Sequence, residues 1–394
     1  MTSKTGSQIL PVIVIAQVCC VSLWFAGNAV MPGLVSEFRL DTGAFTLVTS
    51  AVQLGFIAGT FVFALFTIAD RYPPSKVFFI CALAGSVLNA AMVIGEYELS
   101  GVLFLRFSTG FCLAGIYPVG MKIAADYHEK GLGKALGYLV GALVLGTALP
   151  HLLKAFSGSW QWRFVMLVTS ALALFGGLLV LVLVPDASAR KTGSTISIRA
   201  LRQVFKNRSL RSAAFGYFGH MWELYAFWAF VPFMLVHFRD ISAIAIKDIA
   251  LLSFIIIASG AFACVASGYL AQRFGAKKVA FGALLCSGAC GLLSPLVFMY
   301  GSQSLFLLFL IIWGMTVIAD SPLFSTLVAQ SADAGFKGTA LIAVTCIGFA
   351  ITIISIQLIG YLTRQLDANY IFMVLAIGPA AGLWALWTSK RQLK

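Results

Sequence analysis

One polar stretch, PDASARKTGSTISIRALRQVFKNRSLR (residues 185–211), divides an otherwise apolar chain of 394 residues. Long apolar runs stand on either side of it, and the whole chain is 60% hydrophobic and only 10% charged. Soluble domains carry about 25% charged residues, so this composition predicts a membrane protein. The polar stretch therefore indicates a linker between two membrane-embedded halves.

Twelve apolar runs are long enough to cross a hydrocarbon core of about 30 Å, which needs a helix of about 20 residues. The predicted fold is an all-α polytopic membrane protein with six transmembrane helices on each side of the linker. The first run has no small-residue cleavage pattern, which indicates a retained span rather than a signal peptide. The runs, called spans 1 to 12, are residues 9–34, 43–69, 77–95, 99–125, 134–156, 162–184, 212–236, 246–270, 279–300, 304–330, 338–362 and 369–388.

The predicted domain boundaries follow the linker. An N-terminal six-helix bundle occupies residues 1–185, the basic cytoplasmic linker residues 186–211, and a C-terminal six-helix bundle residues 212–394. Within the linker, the IRALRQVF portion fits an amphipathic helix on the anionic leaflet, and it fits a solvated tether equally well.

The net charge of +13 has a one-sided distribution. With both termini in the cytoplasm, 20 of the 27 Lys and Arg residues face the cytoplasm, six face the opposite side and Arg106 lies inside span 4. This is the positive-inside rule, and it predicts a multi-pass protein of the inner membrane. It also explains the charge without nucleic acid, so the expected partners are a small-molecule substrate, protons and the lipid bilayer.

The eight Cys residues all lie inside predicted spans, so we expect no structural disulfide. Cys286 and Cys290 are one helical turn apart, but no His or carboxylate accompanies them in that span. Small packing residues are the favoured interpretation. We expect no metal site and no cofactor.

The two halves resemble each other at matched positions. Asp70 and Gln272 are 202 residues apart, and Pro118 and Pro322 are 204 apart. Two near-equal offsets indicate duplication of a six-helix unit with pseudo-symmetry. The matched stretches are IADRYPPSK (68–76) with YLAQRFGAKK (269–278), and GIYPVGMKIAAD (115–126) with ADSPLFSTLVAQ (319–330).

On these features the chain resembles the major facilitator superfamily over essentially its full length. That family carries a G-x-L-A-D-R-x-G-R-K type loop between helices 2 and 3 and a degenerate copy between helices 8 and 9. The first copy here keeps Asp70 and Arg71, and the second keeps Arg273 with Gln272 in place of the acid. The first copy departs from the pattern at Phe66, Pro73 and Pro74.

The resemblance implies that these loops form a gate latch, in which Asp70 pairs with a nearby cation or helix end while one face is closed. The alternative is that Asp70, Arg71 and Lys76 only keep a short loop in water. The resemblance also implies a monomer. The gating residues that it implies are Asp70, Arg71, Gln272 and Arg273.

Ionisable residues inside spans are the main functional signal, because a charge in the bilayer usually faces a protein interior or a transport pathway. The resemblance implies that helices 1, 4, 7 and 10 surround a central cavity. The spans contain five ionisable residues of this kind, and four of them lie on helices 4, 7 and 10. His151 lies instead near the outer end of span 5, and we assign it no role. The five are Arg106, His151, His220, Glu223 and Asp320.

The stretch GHMWELYAFW (219–228) places His220 and Glu223 three residues apart, on one face of the helix. We predict that Glu223 is the main proton carrier and His220 its partner. Asp320 is predicted to be a second titrating or substrate-binding site. The alternatives are a static pairing of Glu223 with Arg106 or with a helix backbone, and an Asp320 that satisfies carbonyl groups freed by the break at Pro322.

Arg106 opens RFSTG, which resembles the family's R-x-x-x-G element of helix 4 and implies a part in proton transfer. It fits two other roles, binding of an anionic substrate and snorkelling to the outer interface. For Asn28, a hydrogen bond between helices is an equal alternative to substrate contact. The predicted substrate-binding residues are Trp24, Asn28, Arg106, Tyr117, Phe227, Phe230 and Asp320.

Further polar residues are predicted to be structural. Gln53 and Asn89 are expected to bond across helices, and Lys122 and Asp126 to form a local ion pair. In span 5, GYLVGALVLGTALP (137–150) has glycine spacings that resemble the antiporter element G-x-x-x-G-P-x-x-G-G, although close helix packing explains them as well.

The resemblance implies a secondary active transporter that moves a small organic solute by alternating access, with proton coupling and efflux by antiport as the favoured direction. One alternative is a proton-coupled importer of an organic anion that uses Arg106 and His220. Another is a membrane sensor that does not transport. The spans contain no H-E-x-x-H or G-x-S-x-G pattern, so we do not expect an enzyme.

Overall fold

A computed structural model describes residues 2–41, 43–127, 132–158, 161–185, 206–242, 246–332 and 337–388. Within these ranges every regular element is helical and no strand occurs. Twelve helical segments are long and apolar enough to cross a membrane, which confirms the predicted all-α fold. Most of the predicted linker, residues 186–205, lies outside the described residues.

The twelve spans are close to the predicted runs. Short helices Met31–Phe38 and Ile68–Arg71 follow spans 1 and 2, and span 12 contains a 3-10 segment, Phe372–Ala376. The spans are Ile9–Ala29, Ala44–Leu65, Pro74–Ile94, Leu99–Tyr127, Lys134–Ala155, Trp162–Leu183, Arg208–Ser242, Ile249–Phe274, Ala276–Tyr300, Gln303–Ser331, Gly338–Leu362 and Ala368–Thr388.

Span 7 is longer than predicted. Its helix has 35 residues, which corresponds to about 52 Å at about 1.5 Å per residue. The prediction ended at the first charged residues, but a helix satisfies its own backbone and continues into the polar interface with charged side chains. Arg208 and Arg239 accordingly lie within the same helix.

Contacts divide the chain into two compact units, Met1–Thr195 and Ile196–Lys394, called unit 1 and unit 2. Each unit holds six spans. Spans 4 and 10 are interrupted at matched positions, just before Pro118 and Pro322. Span 4 divides into Leu99–Leu113 and Tyr117–Tyr127, and span 10 into Gln303–Ala319 and Ser321–Ser331.

Glycines bring helices into backbone contact in both units. In unit 1, a Cβ atom on Gly55 would overlap the carbonyl of Phe107, which brings spans 2 and 4 together. In unit 2, Gly219 and Gly378 face each other in the same way, and a Cβ atom added to either residue would overlap the carbonyl oxygen of the other. Small residues drive close helix association in membranes, where the hydrophobic effect contributes little between helices.

Gly219→Ala is expected to lower the free energy of unfolding by about 1–3 kcal/mol, because the added methyl group overpacks the contact with Gly378. Thermal unfolding of the purified protein in detergent measures this. The matched control is Gly282→Ala in span 9, where nothing lies within 4 Å of the added Cβ. Equal melting temperatures for the two variants would contradict the packing role of Gly219.

Candidate functional site

Among its described residues, unit 2 buries three acidic or imidazole side chains in its interior. His220 and Glu223 come from span 7 and Asp320 from the break in span 10, and all three are 0% exposed. Within the described residues of unit 2, no Lys or Arg is buried with them. The residues predicted to couple transport to protons on this side of the linker therefore meet in one buried region.

The His220 and Asp320 side chains form a close pair. Nδ1 of His220 lies 2.8 Å from Oδ1 of Asp320. The imidazole ring contacts the rings of Tyr217 and Phe324, with centroids 5.9 and 6.2 Å away. In the described structure, none of the four side-chain polar atoms of His220 and Asp320 makes a hydrogen bond. The two side chains are thus in contact at ion-pair distance, beside two aromatic rings.

Asp320 is positioned by the break itself. It is the last residue before the helix Ser321–Ser331, whose first turn contains Pro322. Proline is tolerated there because that N–H group has no partner within the helix. The Asp320 side chain makes no capping bond to this helix. Neither carboxyl oxygen of Asp320 makes a hydrogen bond in the described structure, so the side chain does not satisfy carbonyl groups freed by the break either.

Glu223 accepts two hydrogen bonds from neutral donors. Trp313 Nε1 donates to Oε1 at 2.7 Å, and Ser287 Oγ donates to Oε2 at 2.8 Å. The predicted partnership of Glu223 with His220 is wrong, because His220 pairs with Asp320. The three-residue spacing gives both side chains one helix face, but Glu223 extends to Trp313 of span 10 and Ser287 of span 9.

Ser287 can form a hydrogen bond with the Glu223 carboxyl group in both the ionised and the protonated state of that group. Its Oγ lies 3.2 Å from the carbonyl oxygen of Leu284 as well as beside Glu223. A hydroxyl group has one proton to donate and can also accept. A protonated Glu223 can donate to Ser287 while Ser287 donates to Leu284, so neither state leaves an unsatisfied group there.

The sequence analysis did not identify Trp313 and Ser287 as site residues, because it searched the spans for ionisable groups. Trp313 precedes Asp320 by seven residues and so shares a helix face with it, which is a usable signal. Ser287 has no distinguishing neighbour in the sequence. Neutral donors of this kind become visible only when the helices are packed.

The two predicted aromatic residues of span 7 lie in different surroundings. The ring of Phe227 is 4.9 Å from the ring of Trp313, so it packs against the donor that holds Glu223. The ring of Phe230 is 6.4 Å from that of Phe372 in span 12. Both residues are buried. Phe227 thus belongs to the carboxyl region, whereas Phe230 joins an aromatic cluster of unit 2.

Arg106 is buried in unit 1 and bound to oxygen acceptors. Its Nη2 atom donates to the carbonyls of Leu23 and Trp24 at 2.8 and 2.7 Å, and Nη1 donates to Asn89 Oδ1 at 3.0 Å. The side chain is 0% exposed, so Arg106 does not snorkel to the surface. Only Nε has no hydrogen-bond partner in the described structure, and it faces Gly27.

Asn89 crosses between helices as predicted. Its Nδ2 atom lies 2.9 Å from the carbonyl of Met166, 3.1 Å from Thr169 Oγ1 and 2.9 Å from Ser170 Oγ, all in span 6. Gln53 does not follow this prediction. Both polar atoms of its side chain are buried and without a hydrogen-bond partner in the described structure.

The other predicted binding residues of unit 1 have structural contacts. Asn28 Nδ2 donates to Thr49 Oγ1 at 2.6 Å, which is the predicted alternative of a bond between helices. Trp24 is buried, and its ring lies 4.8 Å from that of Phe56. Tyr117 begins the second half of span 4, and its carbonyl accepts a bond from Gln17. These contacts leave the substrate roles as predictions.

The predicted gating residues lie in the short helix that follows span 2 and in the last turn of span 8. Lys122 Nζ donates to Asp70 and, at 2.8 Å, to the carbonyl of Ala69. The structure thus pairs Lys122 with Asp70, whereas the sequence predicted a local pair of Lys122 with Asp126. A left-handed turn at Thr67, with φ 49°, starts the short helix that carries Asp70 to span 4. Arg71, Gln272 and Arg273 are exposed.

Two features of span 5 were left open by the sequence. His151 is 2% exposed, and its Nε2 atom has no partner within the described residues. Gly146 contacts span 1, where an added Cβ would lie 2.7 Å from the carbonyl oxygen of Val18. The contact supports the packing explanation for this glycine of the antiporter-like element.

Comparisons with known proteins agree on the type of protein. A family model described as Major Facilitator Superfamily matches residues 13–356. The uncharacterized protein Cj0987c of Campylobacter jejuni subsp. jejuni is 25% identical over 303 residues, which cover 72% of this chain and 85% of that protein.

Two solved structures show the same fold. The proton:xylose symporter XylE matches with a TM-score of 0.76 at 13% identity, covering 98% of this chain and 96% of that one. A mutant of the nucleoside transporter NupG matches with a TM-score of 0.73 at 15% identity, covering 97% and 99%. Their differing solutes illustrate that the fold does not determine what is carried.

Proposed function

Because the chain belongs to the major facilitator superfamily, we propose that it is a proton-coupled secondary transporter that moves a small organic solute by alternating access. Family and fold indicate a multi-pass membrane transporter rather than an enzyme. Proton coupling is our inference from the buried side chains of unit 2. We place the protein in the cytoplasmic membrane as a monomer with both termini inside, in keeping with the distribution of Lys and Arg.

The charge balance of the buried region carries the proposal. Glu223 and Asp320 can hold two negative charges, and His220 can offset only one of them. Since no buried Lys or Arg occurs among the described residues of unit 2, neutrality requires a proton on at least one carboxyl group. An uncompensated charge at this depth is strongly unfavourable, so proton binding is the chemistry that this arrangement supports.

Protons fit this region better than a metal cation. Both oxygens of Glu223 face hydrogen atoms of Trp313 and Ser287, and such donors repel a cation. Within the described residues, no group of three His, Cys, Asp or Glu side chains could hold a metal ion. A proton needs only the carboxyl oxygen itself and the alternative acceptor offered by Ser287.

We assign separate roles to the two parts of the region. Glu223 is the proton carrier, and Ser287 changes its acceptor as the proton arrives or leaves. His220 and Asp320 form the second site, which holds a proton between them and can separate when the helix break moves. The predicted Glu223–His220 unit is thus replaced by two separate proton sites. On span 7 their residues, His220 and Glu223, are three positions apart, and on span 10 Trp313 and Asp320 are seven positions apart.

Efflux by antiport remains the proposed direction, because the glycine spacing of span 5 resembles the antiporter element, although Gly146 also packs against span 1. Import of an organic anion is less well supported. That alternative relies on Arg106, whose guanidinium group already donates to three oxygen acceptors and is fully buried. An anion would have to displace two backbone carbonyls and Asn89 to bind there.

Reconstitution with a trapped pH-sensitive dye tests the coupling. Purified protein in proteoliposomes is exposed to a panel of small aromatic and hydroxylated solutes, and solute-dependent pH changes are recorded against protein-free liposomes. A coupled transporter gives a pH change with any solute that also shows counterflow. Counterflow without proton movement would refute the coupling, and a sensor would show neither signal.

Trp313→Phe is expected to shift the pH dependence of transport upward by about one unit. The ring remains, but the Nε1–H donor that favours the ionised Glu223 is lost, so protonation persists to higher pH. Initial rates of proton-driven transport between pH 5 and 9 measure the shift. Trp384→Phe, at a 74% exposed position, is the control; an unshifted Trp313→Phe profile would remove Trp313 from the mechanism.

A further inference from the structure

Gln17 connects span 1 to the second half of the broken span 4. It lies near the middle of span 1 and is 0% exposed. Its Nε2 atom donates to the carbonyl oxygen of Tyr117 at 3.1 Å. Tyr117 is the first residue of the helix Tyr117–Tyr127. The Gln17–Tyr117 bond therefore holds this helix to span 1 immediately after the break.

The neighbouring Gly120 provides the space for this bond. A Cβ atom on Gly120 would lie 2.3 Å from Gln17 Nε2, so a larger residue would displace the amide from Tyr117. In the described structure, the other polar atom of the side chain, Oε1, has no hydrogen-bond partner. The amide thus makes one hydrogen bond there, and that bond can be removed from either side.

Unit 2 has a side chain at the matched position. His220 is 203 residues after Gln17, an offset between the 202 and 204 of the matched stretches. The ring of His220 contacts that of Phe324, with 6.2 Å between centroids. Phe324 is 204 residues after Gly120, which contacts Gln17. Spans 1 and 7 therefore use matched residues to contact the second halves of spans 4 and 10.

The contacts in the two units differ in their chemistry. His220 and Asp320 can each gain or lose a proton, whereas a side-chain amide and a backbone carbonyl do not titrate near neutral pH. On the helix that Gln17 holds, Lys122 directs its ammonium group to Asp70. The bond of Gln17 is accordingly independent of pH in the range where the pair in unit 2 can titrate.

We propose that Gln17 is a positioning residue, which holds the second half of span 4 against span 1 by a bond that protonation does not break. Unit 1 thus keeps the angle of its broken helix at any pH near neutrality, while the matched contact of unit 2 responds to protons. The role of Gln17 stands on unit 1 alone, and only its contrast with unit 2 rests on the proposed function.

Hydrogen–deuterium exchange of the purified full chain in detergent, measured by mass spectrometry, tests this role. Gln17→Met keeps the length of the side chain and removes the N–H donor. We expect the amides of Tyr117–Tyr127 to exchange about fivefold faster than in wild type, because loss of one hydrogen bond makes local opening easier. The amides of Ser321–Ser331 in the same sample should keep the wild-type rate. The ratio of variant to wild-type rates should be the same at about pH 6 and about pH 8.

Gly120→Ala removes the same bond from the other side, because its methyl group takes the place of the amide. Alanine forms helices more readily than glycine, so faster exchange of Tyr117–Tyr127 in this variant cannot come from a weaker helix propensity. Two controls should match wild type. They are Gly282→Ala, where nothing lies within 4 Å of the added Cβ, and Gln365→Met, at an exposed position.

Wild-type exchange of Tyr117–Tyr127 in both Gln17→Met and Gly120→Ala would overturn the proposal. Equal acceleration of Ser321–Ser331 would do the same, since it indicates general destabilisation, and a Gln17→Met ratio that changes with pH would refute the proton independence. Asp320→Asn is measured in parallel. If that variant leaves exchange of Ser321–Ser331 unchanged at both pH values, the result counts against the proton site of unit 2 and not against Gln17.

Discussion

Glu223→Gln is expected to abolish proton-driven transport and to leave counterflow of the solute intact. Glutamine has the shape of glutamate but cannot carry the proton, and loss of a positioned proton-transfer group typically lowers a rate by about 100-fold or more. The fold should tolerate the change. Trp313 can still donate to the amide oxygen, while Ser287 turns to Leu284 and accepts from the amide nitrogen.

Two assays in proteoliposomes distinguish loss of proton coupling from loss of solute transport. Accumulation under an imposed pH gradient reports coupling, and exchange of labelled solute at equal pH reports the carrier alone. Glu96→Gln, at an exposed position, is the control and should match wild type in both. If Glu223→Gln accumulates solute at the wild-type rate, Glu223 is not the proton carrier.

Asp320→Asn is expected to lower the free energy of unfolding by about 3–5 kcal/mol, because it removes the carboxylate that contacts the buried His220 side chain. Adding His220→Gln should recover part of the loss, since the two residues are in direct contact and their effects are not additive. Unfolding of single and double variants in detergent, analysed as a double-mutant cycle, measures the coupling.

An exposed pair provides the comparison for this cycle. The Asp70 and Lys122 side chains are 32% and 28% exposed, and solvent screening limits such pairs to about 1 kcal/mol or less. Asp70→Asn should therefore leave stability almost unchanged. Additive effects of the Asp320 and His220 substitutions would mean that the two side chains are not energetically coupled.

The number and type of helices could be predicted from the sequence because each span must bury a long apolar run in lipid. Pro118 and Pro322 indicate the breaks in spans 4 and 10 in the sequence, because each removes a backbone donor at a matched position. The ends of span 7 could not be predicted, since charged residues such as Arg208 end an apolar run without ending a helix.

Pairing of side chains was predicted less well. Helical spacing shows that His220 and Glu223 share a face, but not which neighbouring helix each side chain reaches. Lys122 illustrates the same limit: Asp126 is near in sequence, whereas Asp70 is brought close by a turn that no periodic pattern reveals. Such partners depend on how helices pack, and a single sequence records packing only indirectly.

The interruption of span 10 gives Asp320 a mechanical role that an unbroken helix would deny it. The residue lies at a joint between two rigid rods, Gln303–Ala319 and Ser321–Ser331. If that joint bends during transport, the 2.8 Å separation from His220 changes with it, so the helix angle and proton binding would be thermodynamically linked. By reciprocity, a change of pH would then shift the angle of the helix beyond Asp320 by the same coupling free energy.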